Sequence, residues 1–388
     1  MQSALDDLRV IEMTHVLAGP FCGYQLALLG ADTIKIETPQ NPDCARGRGP
    51  DAALNSKGLG LNYQVQGGNK RSLALDIFQP EGREILLQLL STADVLIENY
   101  STGVLDELGL SYAIVSKLNP RLVYCSMSGY GATGEKADKG AYDNTIQATS
   151  GLIAQSGGVK PGVSVVDYAA GYSASFAILA ALLQRVRTGT GTHISASMLE
   201  VAMTLMAPEA SAALHSTKCA KVREAGISAY ETSGGRIMLG AFTPSQYGKL
   251  KRCFDDNGIS AWFLSDIHNW EDIWSRSTQI TAHLAPILLA KDAQEWVKLF
   301  RHYDVPAEEI IELDEAVKAT QLAQRGYFVP SPEDENLQLP IAPFQMSEGG
   351  PRLHTAPPTL GQHSHQVLTE LGLDSSRIEL LKASGVVQ

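Results

Sequence analysis

Apolar residues in the first half of the chain fall alternately into short β-rich runs and longer runs with helical spacing. The strand-like runs are LRVIEM, TIKIE, SLALDI, DVLIENY and LVYCSMSGY. The helix-like runs between them are GPFCGYQLALLG, QPEGREILLQLLSTA and YAIVSKL, and Pro20 and Pro80 suit first helical turns. Repetition of strand, helix and strand predicts a parallel sheet covered on both faces, an α/β Rossmann-like layer structure.

The second half follows a different pattern. From about Tyr142 the chain becomes helical and rich in small residues. ISAYETSGGRIMLGAF then predicts a hairpin that turns at residues 233–235, followed by amphipathic helices that carry all four tryptophans. After about Val329, proline and glycine predict a long irregular connection that ends in a short helix over residues 363–371.

A chain of 388 residues is longer than one ordinary core supports, so we expect two domains. The patterns place a large Rossmann-like domain at residues 1–215 and a smaller α+β domain at 225–328. Residues 329–388 are expected to form a linker and a C-terminal segment that returns to the large domain.

Composition narrows the function classes. A net charge of -11, with no run rich in lysine or arginine, disfavours nucleic-acid binding. The start of the chain lacks a signal-peptide pattern, and no run reaches about 18 uninterrupted apolar residues, so we expect no membrane association. The five cysteines are scattered and form no CxxC pair, which indicates reduced thiols, a cytoplasmic protein and no zinc site: Cys22, Cys44, Cys125, Cys219 and Cys253.

Common nucleotide and hydrolase motifs are missing. The loop THVLAGPF has only Gly19 where a dinucleotide site needs GxGxxG, which disfavours NAD although Glu37 ends the second strand suitably for a ribose contact. No P-loop occurs, and SMSGYG lacks the leading glycine of a nucleophile elbow. His363 and His365 suit a surface or capping role better than metal ligation, so no metal site is predicted.

Asp167 is the remaining candidate. It stands where an extended segment gives way to a helix of small residues predicted to begin near Tyr168. One interpretation is an N-cap, in which the carboxylate accepts hydrogen bonds from the first free helix amides. The other is a nucleophile, held ionised by the helix N-terminus and approached past Ala169, Ala170 and Gly171. The two roles are compatible.

Seven stretches together resemble the family III CoA-transferases, the CaiB/BaiF group. They cover nearly the whole chain in order: RVIEMTHVLAGPFCGYQLALLGADTIKIETP, GGNKRSLALDI, ADVLIENYSTGVLDELGL, YCSMSGYG, AYDNTIQATSGL, VVDYAAGYSASFAILAAL and APPTLGQHSHQVLTELG. The resemblance implies that CoA moves from an acyl-CoA to a small carboxylic acid. It also implies an interlocked homodimer and an aspartyl anhydride and aspartyl-CoA thioester on Asp167.

The resemblance also implies the binding residues. The expected CoA contacts are His15, Val16, Leu17, Ala18, Lys70, Arg71, Asn99 and Tyr100. The expected acyl and acceptor contacts are Arg46, Tyr142, Asp143 and Gln246. The segment Leu239–Gln246 occupies the place of a closing loop in the family. Many members have ENFRPG where this chain has Ser101 and Thr102, so a basic residue is missing beside the expected CoA contacts.

Two alternatives stay open. Racemases of the same fold, which act on 2-methylacyl-CoA, carry a histidine at the place of Tyr142, and a phenol of ordinary pKa near 10 is a poor base for an α-proton at pH 7. A catalytically silent CoA-binding protein would have no need of Asp167. Transfer is therefore favoured, and the sequence does not identify the donor or the acceptor.

Overall fold

The computed structural model describes residues 3–215 and 224–388. The described chain forms two compact units. One comprises Met1–Ser211 together with Gly326–Gln388, and the other comprises Ala212–Arg325. The C-terminal segment thus belongs to the same unit as the N-terminal half. Cys219, one of the five cysteines expected to be reduced, lies outside the described residues.

A six-stranded parallel sheet forms the centre of the larger unit. Its strands are β1 Arg9–Met13, β2 Asp32–Glu37, β3 Lys70–Ala74, β4 Val95–Glu98, β5 Val123–Ser128 and β6 His193–Ser197. Their spatial order is β3-β2-β1-β4-β5-β6, and every neighbouring pair is parallel. This is the doubly wound order, in which ligands bind where the strand order reverses, here between β1 and β4. The predicted parallel α/β layer is confirmed.

Helices cover both faces of that sheet. The helices up to residue 215 are α1 Ala18–Leu28, α2 Ala52–Ser56, α3 Leu61–Gly67, α4 Pro80–Thr92, α5 Val104–Glu107, α6 Tyr112–Leu118, α7 Asp143–Thr149, α8 Leu152–Gln155, α9 Val165–Thr188, α10 Met198–Leu205 and α11 Ala207–His215. Successive side chains of a strand point to opposite faces, so Val10 packs in the core shared with α1 and α9. Its neighbour Ile11 packs in the core shared with α4.

Helix α9 owes its small residues to packing. A Cβ at Gly171 would lie 2.8 Å from the Ala18 carbonyl oxygen, so only glycine permits this approach to α1. Ala170 is also buried. The expected approach to Asp167 past Ala170 and Gly171 is therefore wrong. By length and composition α9 could cross a membrane, but a core helix of a soluble protein passes the same test.

The smaller unit is α+β. Strands β7 Ala229–Glu231, β8 Arg236–Leu239 and β9 Ala307–Glu309 form an antiparallel sheet in that order. The predicted hairpin is confirmed by the pairing of β7 with β8. The helices are α12 Pro244–Asp256, α13 Trp270–Leu288, α14 Ala293–His302, α15 Leu313–Ala316 and α16 Thr320–Gln324. Trp296 is fully buried in the core of this unit, whereas Trp262 is exposed in a short 3-10 turn.

The end of the chain is more regular than the sequence predicts. Strands β10 Phe328–Ser331 and β11 Asp334–Pro340 form an antiparallel hairpin, and helices α17 Ser364–Glu370 and α18 Ser375–Ala383 follow. The prediction of an irregular connection from Val329 is wrong at its start. Pro330 and Pro340 are tolerated because both strands of an isolated hairpin are edges.

Candidate active site

Two loops meet where the strand order reverses. Residues 14–17 follow β1 and residues 99–103 follow β4. The Asn99 amide joins the loops, because its Oδ1 accepts the His15 N–H and its Nδ2 donates to the His15 carbonyl oxygen, both at 2.9 Å. Burial, assisted by the charge of Lys35, lowers the pKa of His15. The lower pKa favours the neutral form of the His15 ring.

A cavity of about 250 Å³, which we name the switch-point cavity, opens between these loops. It is lined by His15, Val16, Leu17, Ala18, Asn99, Tyr100, Ser101, Thr102, Met127, Ser128, Gly129, Lys139, Gly140, Ala141, Tyr142, Asp167 and Met198. Six of the eight expected CoA contacts are therefore brought together, and Lys139 is the one lysine or arginine among the lining residues.

The backbone of the first loop is strained at the cavity. Val16 has a φ of 73°, a left-handed conformation that costs a β-branched residue about 1–3 kcal/mol. Asp43 holds it there, since its Oδ1 accepts the Val16 N–H at 2.9 Å. Helix α1 then begins at Ala18 without a side-chain cap. Ala18, the first residue of α1, lines the cavity, and an anionic or carbonyl oxygen is favoured beside the N–H of such a helix start.

Asp167 does not cap its helix. Helix α9 begins at Val165, two residues before it, so the expected N-cap role is wrong. Asp143 supplies the carboxylate instead: its Oδ1 accepts the N–H groups of Val166 at 2.8 Å and Asp167 at 3.3 Å. Asp143, expected near the acyl group, is thus occupied in holding the start of α9.

The carboxylate of Asp167 is left without a compensating partner. The residue is 9% exposed, and the described chain shows no hydrogen bond or ion pair to its side chain. Burial, followed by the negative charge of Asp143, raises the pKa of Asp167 to about 7. The helix terminus therefore does not keep this group at an ordinary carboxylate pKa, because Asp143 takes two of the amides that would do so.

A second cavity lies on another side of Asp167. We name it the Arg48 cavity, and its lining residues are Val16, Leu17, Cys44, Ala45, Arg48, Leu61, Asn62, Val65, Val163, Ser164, Asp167 and Tyr168. Val16, Leu17 and Asp167 line both cavities. The buried carboxylate therefore stands where the two cavities meet.

The two basic residues expected to hold CoA phosphates have internal partners. The Lys70 ammonium is buried 2.6 Å from Glu12 Oε2 and donates to the Pro20 carbonyl oxygen at 2.8 Å. The Arg71 guanidinium binds Asp32 at 2.7 Å and Glu370 at 2.8 Å. Neither residue lines the switch-point cavity, because β3 begins at Lys70 and places both residues at the amino end of the sheet.

The expected acyl contacts separate. Tyr142 is 65% exposed and lines the switch-point cavity. Arg46 is buried and forms a two-point ion pair with Glu37, at 2.7 Å and 2.6 Å. Gln246 lies in the smaller unit, where its Oε1 accepts the Thr243 N–H at 2.8 Å and completes the cap of α12.

The lining residues that sequence reasoning missed include Lys139, Met198 and Arg48. A signal existed for Lys139, since it stands in the loop after β5, at the carboxyl edge of the sheet. Within the described ranges, no three or more His, Cys, Asp or Glu side chains are grouped so as to hold a metal ion.

Comparison with known proteins agrees with this architecture over the full chain. The family described as CoA-transferase family III matches residues 5–364. A succinyl-CoA:glutarate CoA-transferase of Mus musculus is 33% identical over 99% of this chain and 90% of its own. A formyl-CoA:oxalate CoA-transferase of Rhodopseudomonas palustris is 28% identical over 99% of this chain and 97% of its own. A CaiB/BaiF family crystal structure from Brucella suis superposes with a TM-score of 0.80 at 28% identity, covering 96% of this chain and all of that one. The chain is an enzyme that uses CoA thioesters and belongs to CoA-transferase family III.

Proposed function

We propose that this enzyme transfers CoA from an acyl-CoA to a carboxylic acid through covalent intermediates on Asp167. The observation that carries the proposal is the place of the Asp167 carboxylate, buried at the junction of two cavities and without an internal partner. An ionised carboxylate in such a site is a competent oxygen nucleophile. The relatives named for succinyl-CoA and glutarate or for formyl-CoA and oxalate support acids as acceptors.

In the first half of the cycle, an Asp167 carboxylate oxygen attacks the thioester carbonyl carbon of the donor. The carbon–sulfur bond breaks, CoA leaves as the thiolate, and an aspartyl acyl anhydride remains. The thiolate then attacks the aspartyl carbonyl carbon of the anhydride. This releases the donor acid as its carboxylate and leaves an aspartyl-CoA thioester.

In the second half, the acceptor carboxylate attacks the aspartyl-CoA thioester and displaces the CoA thiolate, which forms a second anhydride. The thiolate attacks the acceptor carbonyl carbon of that anhydride. New acyl-CoA and the free Asp167 carboxylate result, so no net proton is taken up or lost. Burial of Asp167 supports the route because it limits hydrolysis of the anhydrides.

The switch-point cavity is proposed to receive CoA. Residues 15–18 and 99–100 line it, as the resemblance implies. We assign stabilisation of the oxyanion that develops when Asp167 attacks to the N–H of Ala18, which begins α1 and lines the cavity. We assign the phosphate contact to Lys139, which lines the cavity, rather than to Lys70 or Arg71.

Tyr142 favours transfer over racemisation, because a phenol in this cavity suits hydrogen bonding to substrate better than removal of an α-proton. A role for Gln246 and closure by Leu239–Gln246 stay predictions.

Association as a homodimer is supported by α9, whose outer face exposes Phe176, Leu183 and Val186 at 76%, 68% and 81%. Interlocking of two copies and a cytoplasmic location remain part of the proposal.

A transfer assay tests the proposal. Asp167→Asn removes the nucleophile while keeping the shape of the side chain, so acceptor-dependent formation of new acyl-CoA should fall at least about 1,000-fold. Affinity for CoA and thermal unfolding should stay near the wild-type values. Asp7→Asn, at an exposed turn, is the matched control and should transfer normally. Transfer by Asp167→Asn within tenfold of wild type would sink the covalent route.

A further inference from the structure

The Arg48 cavity contains one positive and one negative side chain. Among its twelve lining residues, Arg48 is the only lysine or arginine and Asp167 is the only carboxylate. Arg48 is exposed, and no ion pair or hydrogen bond to its side chain occurs within the described ranges. Arg46, two residues earlier, is by contrast fully engaged with Glu37. Arg48 is therefore available to a ligand.

The rest of the lining suits a short carbon chain. Leu61, Val65 and Val163 present apolar surface, and Asn62 adds an amide. A guanidinium binds a carboxylate at two points in one plane. A single arginine is poorly matched to the several phosphates of CoA, whereas the loop amides and Lys139 lie in the other cavity.

We propose that Arg48 recognises the distal carboxylate of a dicarboxylic acceptor acid, bound in the Arg48 cavity with its reacting carboxylate toward Asp167. This inference rests on the proposed function and adds to it a specificity-determining residue. In this arrangement CoA binds in the switch-point cavity, where Lys139 is the cation, and the acceptor acid binds in the Arg48 cavity, where Arg48 is the cation.

The test compares dicarboxylic acids, from oxalate to adipate, with monocarboxylic acids of equal chain length as acceptors. Arg48→Gln should raise the KM for the dicarboxylic acids about 10- to 100-fold. The KM for acyl-CoA and the kinetics with monocarboxylic acids should not change. Arg48→Lys keeps the charge and should recover part of the loss. Arg83→Gln, on helix α4 with its guanidinium bonded to the Phe78 carbonyl oxygen, is the control.

Three results would overturn the inference while leaving the proposed function intact. One is an unchanged KM for dicarboxylic acids in Arg48→Gln. Another is a higher KM for acyl-CoA, which would place Arg48 against CoA. The third is a wild-type enzyme that uses monocarboxylic acids equally well. Exchange of the labelled donor acid into acyl-CoA needs no other acceptor, because the donor acid is released when aspartyl-CoA forms, so its absence in the wild-type enzyme would instead contradict the proposed function.

Discussion

The charged groups beneath the β1 loop and those lining the two cavities differ in their partners. Those beneath the loop, which we call the buried ion cluster, are Glu12, Lys35, Glu37, Asp43, Arg46 and Lys70. Each of them has an ion-pair partner within the cluster. In the cavities, Asp167 and Arg48 show no such partner in the described chain.

Charged groups that pair with one another inside the protein position the backbone, whereas those without a partner at the cavities are available to bind or attack a substrate. Lys35 links Glu12 at 3.1 Å to Asp43 at 3.2 Å and donates to the Thr14 carbonyl oxygen at 2.6 Å. Asp43 in turn holds the strained Val16 backbone. The buried ion cluster thus positions the loop at the site without facing the substrate.

The largest effect is expected on the stability of the protein when the buried ion cluster is disrupted. Lys70→Ala leaves the buried Glu12 carboxylate with less compensation, so the free energy of unfolding should fall by about 3–5 kcal/mol. Urea denaturation measures this, with the exposed Lys57→Ala as control. If Lys70→Ala is as stable as wild type and only its KM for acyl-CoA rises, Lys70 contacts a CoA phosphate and the comparison fails.

Removing the cavity lysine should affect binding alone. Lys139→Ala should raise the KM for acyl-CoA about 10- to 100-fold, because a charge-assisted phosphate contact is lost. Its stability should be unchanged, since within the described residues the ion pair of Lys139 is with the exposed Asp138. The same loss of affinity for 3′-dephospho-CoA would show that the contact is not to the 3′-phosphate. Unchanged kinetics with both thioesters would remove Lys139 from the CoA site.

The smallest effect is expected on the pH profile. Asp167 must be ionised to attack, and burial together with Asp143 raises its pKa to about 7, so kcat/KM for acyl-CoA should fall as the pH drops below 7. Asp143→Asn keeps an oxygen for the amides of α9 but removes the negative charge. The acid limb should therefore move down by about one pH unit. If the acid limb lies at the same pH in Asp143→Asn as in the wild-type enzyme, the ionisation of another group determines it.

Much of the larger unit was predictable because its strands and helices have strong periodic patterns. Strand β6 was missed, since His193–Ser197 is short, polar and only partly buried, within a stretch otherwise helical. The β10–β11 hairpin was missed because its prolines and acidic residues are typical of loops. Composition alone does not distinguish an edge hairpin from an irregular connection.

The positions of the loops at the site were predictable from the sequence, whereas the partners of its charged residues were less so. The loops after β1 and β4 follow from strand order, and Asp167 follows from the family resemblance. The sequence did not predict the burial of Lys70, because a lysine at a strand start is usually exposed. A signal was present in Glu12 and Lys35, charged residues within strands buried on both faces, which must be paired. Their partner could not be identified without the register of β3.

The most direct test of the account is the fate of acceptor oxygen in a single turnover. If acceptor carboxylate labelled with ¹⁸O forms an anhydride with Asp167, attack by CoA on the acceptor carbonyl leaves one labelled oxygen on the aspartate. Digestion and mass spectrometry should then find a single ¹⁸O in the peptide that contains Asp167, and none in the enzyme incubated without acyl-CoA donor. New acyl-CoA formed with no label on Asp167, or with label on a different residue, would contradict the central claim.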